Sequence, residues 1–482
     1  MIPLGTYSPD SPAYGQHATV ASNCVPYRDY YGPFGSALAY TDASSEAALS
    51  AYAVKSSDGT PYNFVGGTAK LQLIASATWS DVSKVGGYTT ALEDRWYWTT
   101  FGNIVIAANG NAKLQSYTMG SSTDFSDLAA SAPVAKYVAT VRGFVFAGNI
   151  ASYPNRVKWS PLEDPAGDWT DITVQADDQD LYGESEIGQV TGIIGGEYAT
   201  IFCEKGVFRG TYVGGDLIFT FDQIVFGNGT SAPGSLSAFG DRIFFLGTDG
   251  FYMMTPGGLQ PIGEGVNRTF LDEVAETDYW RISSAIDPRN SLYIIAYPTT
   301  GTVLDKMMIY NWQANKWTTV EPGDTECLFN FYSEGYTLET IDALIGDPDT
   351  GPYAGVSVDS ALFQGGKPSF AGVNSSHEVV LFNGASLTAT VETAEVQINP
   401  GRKSLVSMIT PFVEGASTVT AQVGYRNAVS DAISYSNPAT MNSEGQCCLF
   451  NAGRYQRAKL VIAGGFTKAY GVDFEAVPAG RY

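Results

Sequence analysis

The stretch FGDRIFFLGTDGFYMMTPGG, residues 239–258, decides how the rest of the chain is read. Ile243, Phe245 and Gly247 fall on one side of an extended segment and Phe244 and Leu246 on the other, the period-two alternation of a strand. Thr248-Asp249-Gly250 supplies a turn, and residues 251–254 run back. An Asp-Gly step between apolar runs signals a hairpin, because glycine reaches the positive φ that tight turns need. One hairpin says little about 482 residues, but a repeated one dictates an architecture.

The scheme does repeat. AYAVKSSDGTPYNFVGG (51–67) turns at Asp58-Gly59, RWYWTTFGNIVIAANGNAKLQSYTM (95–119) at Asn109-Gly110, and GIIGGEYATIFCEKGVFRGTYVG (192–214) at Lys205-Gly206. KYVATVRGFVFAGNIASYPNRVKWS (136–160) and SLYIIAYPTTGTVLDKMMIYNWQANKWTTVE (291–321) follow the same plan. Small turn residues at Gly102, Gly143, Gly196, Gly240 and Asn290 are spaced by 41, 53, 44 and 50 residues. About four short strands every 40–50 residues is the period of a β-propeller blade. Residues 46–325 then hold about six blades. The expected fold is all-β: a β-propeller of about six blades, an extended N-terminal arm (1–45) and a C-terminal β-sandwich-like module (326–482) that returns strands to the propeller. The arm has Pro9, Pro12, Pro26 and Pro33 between aromatics and no period, so it reads as a strap lying on its own domain or a neighbour. Residues 263–276 are the best short helix. Trp79, Trp159, Trp169 and Trp317 read as caps of blade cores.

Aromatic content of 13%, with 29 Tyr and 25 Phe, favours strands. Acidic residues outnumber basic ones 49 to 27, a formal charge of −22 that repels nucleic acid and anionic membranes. Cys24, Cys203, Cys327, Cys447 and Cys448 are odd in number and lack zinc spacing, which predicts reduced thiols. The opening residues carry no basic and apolar leader, so no secretory signal is expected.

The search for chemistry ends without a reaction. His17 and His377 support no Ser-His-Asp or Cys-His arrangement, and His377 reads as a strand-end residue. Asp177, Asp178 and Asp180 in QADDQDLYGESE (175–186) lack the glycine and terminal glutamate of a calcium loop and read as a solvated loop between blades. Asp347 and Asp349 read as turn residues. The basic stretch GRYQRAKLVI (453–462) reads as a solvated strand face. No phosphate-binding glycine loop is present, and neither cofactor nor metal is expected.

Three stretches together resemble the tail nozzle proteins of short-tailed bacteriophages, also called tail tubular B, hub or DNA-stabilisation proteins. The arm SPDSPAYGQHATVASNCVPYRDYYGPFG (8–35) is similar in its Pro9-Asp10, its Asn23 to Pro26 and its Tyr31 to Pro33. TWSDVSKVGGYTTALEDRWYWTTFGNIVIAANG (78–110) resembles the family's second blade, and RYQRAKLVIAGGFTKAYGVDFEAVPAGR (454–481) its closing strands, with Phe466 where tryptophan is expected. The resemblance implies a non-enzymatic virion protein made in the host bacterial cytoplasm. It implies a homohexameric ring below portal and adaptor proteins, beside tail fibres or needle, that extends the DNA-ejection channel. Genome DNA would pass through an acidic channel without specific binding. It also implies that Pro9, Asp10, Asn23, Pro26, Tyr31 and Pro33 lie at interfaces, and that a chain without residues 1–45 keeps its propeller but loses assembly. The alternative reading is a propeller that binds or cleaves carbohydrate, a lectin or glycosidase.

Overall fold

The computed structural model describes residues 1–75, 77–183, 186–333 and 367–480. Seven four-stranded antiparallel blades follow one another, six of them separate sheets and the sixth blade part of an 11-stranded sheet. The first strands of the blades are Ser50–Lys55, Tyr97–Phe101, Ala135–Val141, Val190–Ile194, Ser237–Phe239, Ser283–Asp287 and Thr325–Tyr332. The propeller thus has seven blades where about six were expected. The domain limit at 325/326 falls at the inner strand of blade 7, which continues through Pro368–Asn374 and Val379–Leu381. Its outermost strand is Leu38–Ala39 from the arm, with Leu38 opposite Leu381 and Ala39 opposite Val380.

The second strand of most blades is buried on both faces, because a blade packs on a neighbour on either side. In the opening hairpin Ile243 and Phe245 pack toward blade 4, while Phe244 and Leu246 pack toward blade 6. These strands are the middle pair of blade 5, whose inner strand is Ser237–Phe239. The marker residues Gly102, Gly143, Gly196, Gly240 and Asn290 all lie in the turn between first and second strands of their blades. Gly102 and Gly240 hold φ of 57° and 61° there, whereas blades 3 and 6 place Arg142 (52°) and Ser291 (59°) in that left-handed position.

An apolar layer fills every junction between successive blades. Phe64, Trp96 and Val105 join blades 1 and 2, and Ile106, Val138 and Trp169 join blades 2 and 3. Tyr40, Val65, Ile74, Phe329 and Phe331 close the ring between blades 7 and 1. Trp159, Trp169 and Trp317 are buried, with their indole N–H groups donating to the carbonyls of Gln175, Pro165 and Ile262. The one α-helix among the described residues, Asn267–Glu273, sits where a short helix was expected and plugs Phe270 against Phe251 and Tyr297.

The C-terminal module is a two-sheet sandwich completed by the arm. Cys447–Gly453, Lys403–Glu414 and Lys468–Gly480 form one sheet with arm strands Tyr31–Pro33 and Cys24–Pro26. The other runs from arm strand His17–Ser22 through Ala389–Thr393 and Tyr455–Ala463 to Thr418–Arg426, and His17–Ser22 also meets the outer strand of blade 6 at Thr319. Sandwich, arm and blades 5 and 6 therefore share one continuous core, Phe466 included. A propeller that folds without residues 1–45 does not fit this arrangement, since those residues supply a blade strand and strands of both sandwich sheets.

Candidate functional site: the arm seat and the channel floor

The arm is held by side chains whose types suit its path. The carboxylate of Asp10 accepts from the backbone N–H groups of Arg268 (2.8 Å) and Thr269 (3.0 Å) and from the Thr269 hydroxyl (2.6 Å). It thereby caps the helix Asn267–Glu273 from 258 residues away, where Val266 at the N-cap has no capping side chain. Asp10→Ala is expected to lower stability by about 1 kcal/mol, with Asp10→Asn keeping most of it, read as a shift of the urea midpoint at constant slope. Asn23, at φ 58°, donates through Nδ2 to Thr388 O (3.1 Å) and accepts from Glu321 N (2.9 Å), so one side chain ties blade 6 to the sandwich. Tyr31 is buried and donates to Gly5 O (2.8 Å); Pro26 O accepts from Asn311 Nδ2 (2.9 Å). Pro9 adjoins the cap, and Pro33 pairs with Cys24 across the arm hairpin. Five of the six expected interface residues thus make contacts inside one chain, and Asp10, Asn23, Pro26 and Tyr31 do so beyond the arm itself.

Beside the arm lies a buried ionic cluster that sequence reading missed. Arg457 donates to Glu392 (2.9 Å) and Glu395 (3.0 Å), and Arg426 donates to the second oxygen of Glu395 through Nε (3.0 Å) and Nη2 (2.8 Å). Tyr435 donates to Glu392 at 2.6 Å. Burial alone would lower the pKa of Arg457, but the hydrogen bonds to Glu392 and Glu395 outweigh it and raise the value. Burial, then Arg457, lowers that of His17 in the arm strand. The solvated face expected for 453–462 is corrected at Arg457, which is only 7% exposed.

Other candidates are structural. Asp177–Asp180 is the outer strand of blade 3 rather than a loop, because Arg156 on the adjacent strand pairs with Asp178 (3.2 Å) and Asp180 (2.6 Å). The Arg156 hydrogen bonds hold the Asp180 carboxyl below the usual range. His377 occupies a turn at φ 64° and shares a 2.7 Å hydrogen bond with Glu326. Asp347 and Asp349 lie outside the described residues. Among the described residues no group of three or more His, Cys, Asp or Glu is placed to hold a metal, and no helix is long and apolar enough to cross a membrane.

Two concavities remain. A cleft of about 790 Å³ between blades 4 and 5 is lined by Tyr198, Arg209, Phe226, Asp241 and Met254 among others. Tyr198 and Phe226 are exposed, and the Arg209 guanidinium lies 5.3 Å from the Tyr198 ring. The other is the channel between inner strands, lined by small and aromatic side chains such as Ser50, Tyr52, Trp98, Thr99 and Ser284, with Arg95 at its floor. Hydroxyls link inner strands laterally, Thr99 with Thr140 at 2.9 Å and Ser237 with Ser284 at 2.8 Å.

No protein-family model matches the chain, and no curated protein matches it. Solved structures do resemble it. The extracellular domain of a putative one-component system from B. thetaiotaomicron aligns over 82% of this chain and 45% of its own, at 10% identity and TM-score 0.44. The Neurospora crassa Pan2 WD40 domain aligns over 79% of this chain and 94% of its own, at 9% identity and TM-score 0.37. BamB from Moraxella catarrhalis aligns over 74% and 92%, at 11% identity and TM-score 0.37. The class is an all-β protein built on a β-propeller.

Proposed function

We propose that this chain is a structural component of a phage tail: the nozzle subunit whose homohexameric ring extends the DNA-ejection channel below portal and adaptor. The observation that carries the reading is that the family-like ends of the chain pair with each other. Tyr31 of the arm is opposite Ala469, and Ile2 is opposite Val472, in one sandwich sheet. The ion pairs and histidine hydrogen bonds described above serve packing, which suits a non-enzymatic role in the virion. A charge of −22 per chain, multiplied around a ring, gives a wall along which DNA slides without binding. The sandwich offers an apolar outer face for subunit or adaptor contact: Phe450 is 77% and Val477 55% exposed. A ring needs heterologous surfaces that close, and with the arm consumed internally such faces become the candidates.

A second reading rests on the cleft between blades 4 and 5, where exposed Tyr198 and Phe226 stand near Arg209 and Asp241 as aromatic platforms and polar groups of a carbohydrate site do. Negative-stain electron microscopy, alone and with portal-complex proteins, separates the two. Six-fold rings or short tubes are expected. Dispersed monomers in every mixture, together with cleavage or binding of a polysaccharide, would replace the nozzle by the carbohydrate reading.

A further inference from the structure

Arg95 ends the connection from blade 1 to blade 2 and reaches the floor of the propeller channel. It lines three adjoining cavities. One, of about 220 Å³, is bounded by Ser50, Tyr52, Trp98, Ser284 and Cys327 of the inner strands. Another of about 220 Å³ lies against Leu92, Trp280, Thr302 and Glu326. The third, of about 30 Å³, touches Asp94, Lys136 and Tyr137. The Nη2 of Arg95 donates to the carbonyl of Arg281, while its Nε is buried without a hydrogen-bond partner.

No carboxylate among the described residues forms an ion pair with Arg95: Glu93, which lines the smallest cavity, is exposed to solvent, and the others nearby are already engaged. Asp94 pairs with Lys136 at 2.7 Å, and Asp278 with Arg281 at 3.0 Å. Glu326 is bound through both oxygens, to His377 and to the N–H of Ala48, each at 2.7 Å. The channel hydroxyls are spent too: Ser50 donates to Trp96 O, and Tyr52 shares its hydrogen with Thr100, both at 2.7 Å. A buried guanidinium nitrogen left without a hydrogen-bond partner is costly. It is also shaped to take an oxyanion.

We propose that the channel floor is a binding site for a small oxyanion-bearing molecule, its carboxylate or phosphate group held by Arg95 and its body lying in the inner-strand cavity against Tyr52 and Trp98. This rests on neither functional reading above. Recognition is by charge, since Arg95 carries the buried donor left unmet, so the site discriminates by size more than by pattern.

The test is thermal unfolding of the full chain in sodium phosphate and, separately, in sodium acetate, each against sodium chloride at equal ionic strength. The wild type is expected to show a saturable rise in Tm of a few degrees, larger for whichever class fits. Arg95→Met is expected to lose the rise and, without the anion, to melt at or above the wild type, because an uncompensated charge has been removed. No saturable rise with either anion, or an equal rise in Arg95→Met, overturns the proposal. Should Arg95→Met not fold, phenylglyoxal labelling of the wild type with peptide mapping decides: the favoured anion protects Arg95 but not exposed Arg454, and equal labelling of Arg95 with and without it overturns the proposal.

Discussion

Deleting residues 1–45 is expected to abolish folding of the whole chain, propeller included. The arm buries Leu4, Tyr7, Val25, Tyr31, Phe34 and Tyr40. At about 1.5–3 kcal/mol for each large apolar side chain, their loss is on the scale of the entire stability of a folded domain, about 5–15 kcal/mol. The deletion also removes Leu38–Ala39, leaving the edge of Val379–Leu381 unpaired and the junction of blades 7 and 1 without Tyr40. A milder deletion of residues 1–34 keeps that strand but still removes Leu4, Tyr7, Val25, Tyr31 and Phe34, and is expected to destabilise blades 5 and 6 together with the sandwich. Near-ultraviolet circular dichroism and gel filtration read both. A monodisperse, native-like spectrum from the chain lacking 1–45 would contradict this account of ring closure.

Glu395→Ala is expected to destabilise the protein by about 3–5 kcal/mol, because it leaves buried Arg426 without a carboxylate and Arg457 with Glu392 alone. Glu395 is 3% exposed and holds Arg426 with one oxygen and Arg457 with the other. Glu395→Gln keeps the shape and some hydrogen bonds and is expected to cost less. Glu395→Ala and Arg426→Ala combined should cost less than the two losses added, since the second removes a charge the first left unpaired. Urea unfolding followed by tryptophan fluorescence measures all of these. A loss below about 1 kcal/mol for Glu395→Ala would mean that water, rather than Glu395, compensates the arginines.

The two results turn on features that differ in how they are written in the chain. Hairpins such as 242–255 are local: alternation sets the strands, and the residue that tolerates positive φ sets the turn, so blades 1 to 6 could be read in order. Blade 7 could not. Its outer strand is two residues long, too short to carry a period, and its partner strand lies more than 300 residues downstream. The arm was legible as extended from its prolines, but nothing in Pro9-Asp10 indicates that the aspartate caps a helix at Arg268 and Thr269.

Charge tells the same story. The excess of acid over base, the scattered cysteines and the scarcity of histidine are sums, and sums survive without coordinates. Pairing does not. Asp178 and Asp180 became a strand because Arg156 lies opposite, and Arg457 left the surface because Glu392 and Glu395 meet it on the neighbouring strand. Arg95 is unremarkable in RWYWTTF until three loops converge on it and leave its Nε buried without a partner.

By itself, then, the amino-acid order determined the all-β class, the blade period and the acidic balance, because each depends on neighbours in the chain or on composition. Tertiary structure alone decided the seventh blade, the closure of the ring by the arm, the shared core of propeller and sandwich, and the unpaired cation at the channel floor. Each of these depends on strands far apart in sequence completing one sheet or one core, and on which buried charges acquire a partner once they do.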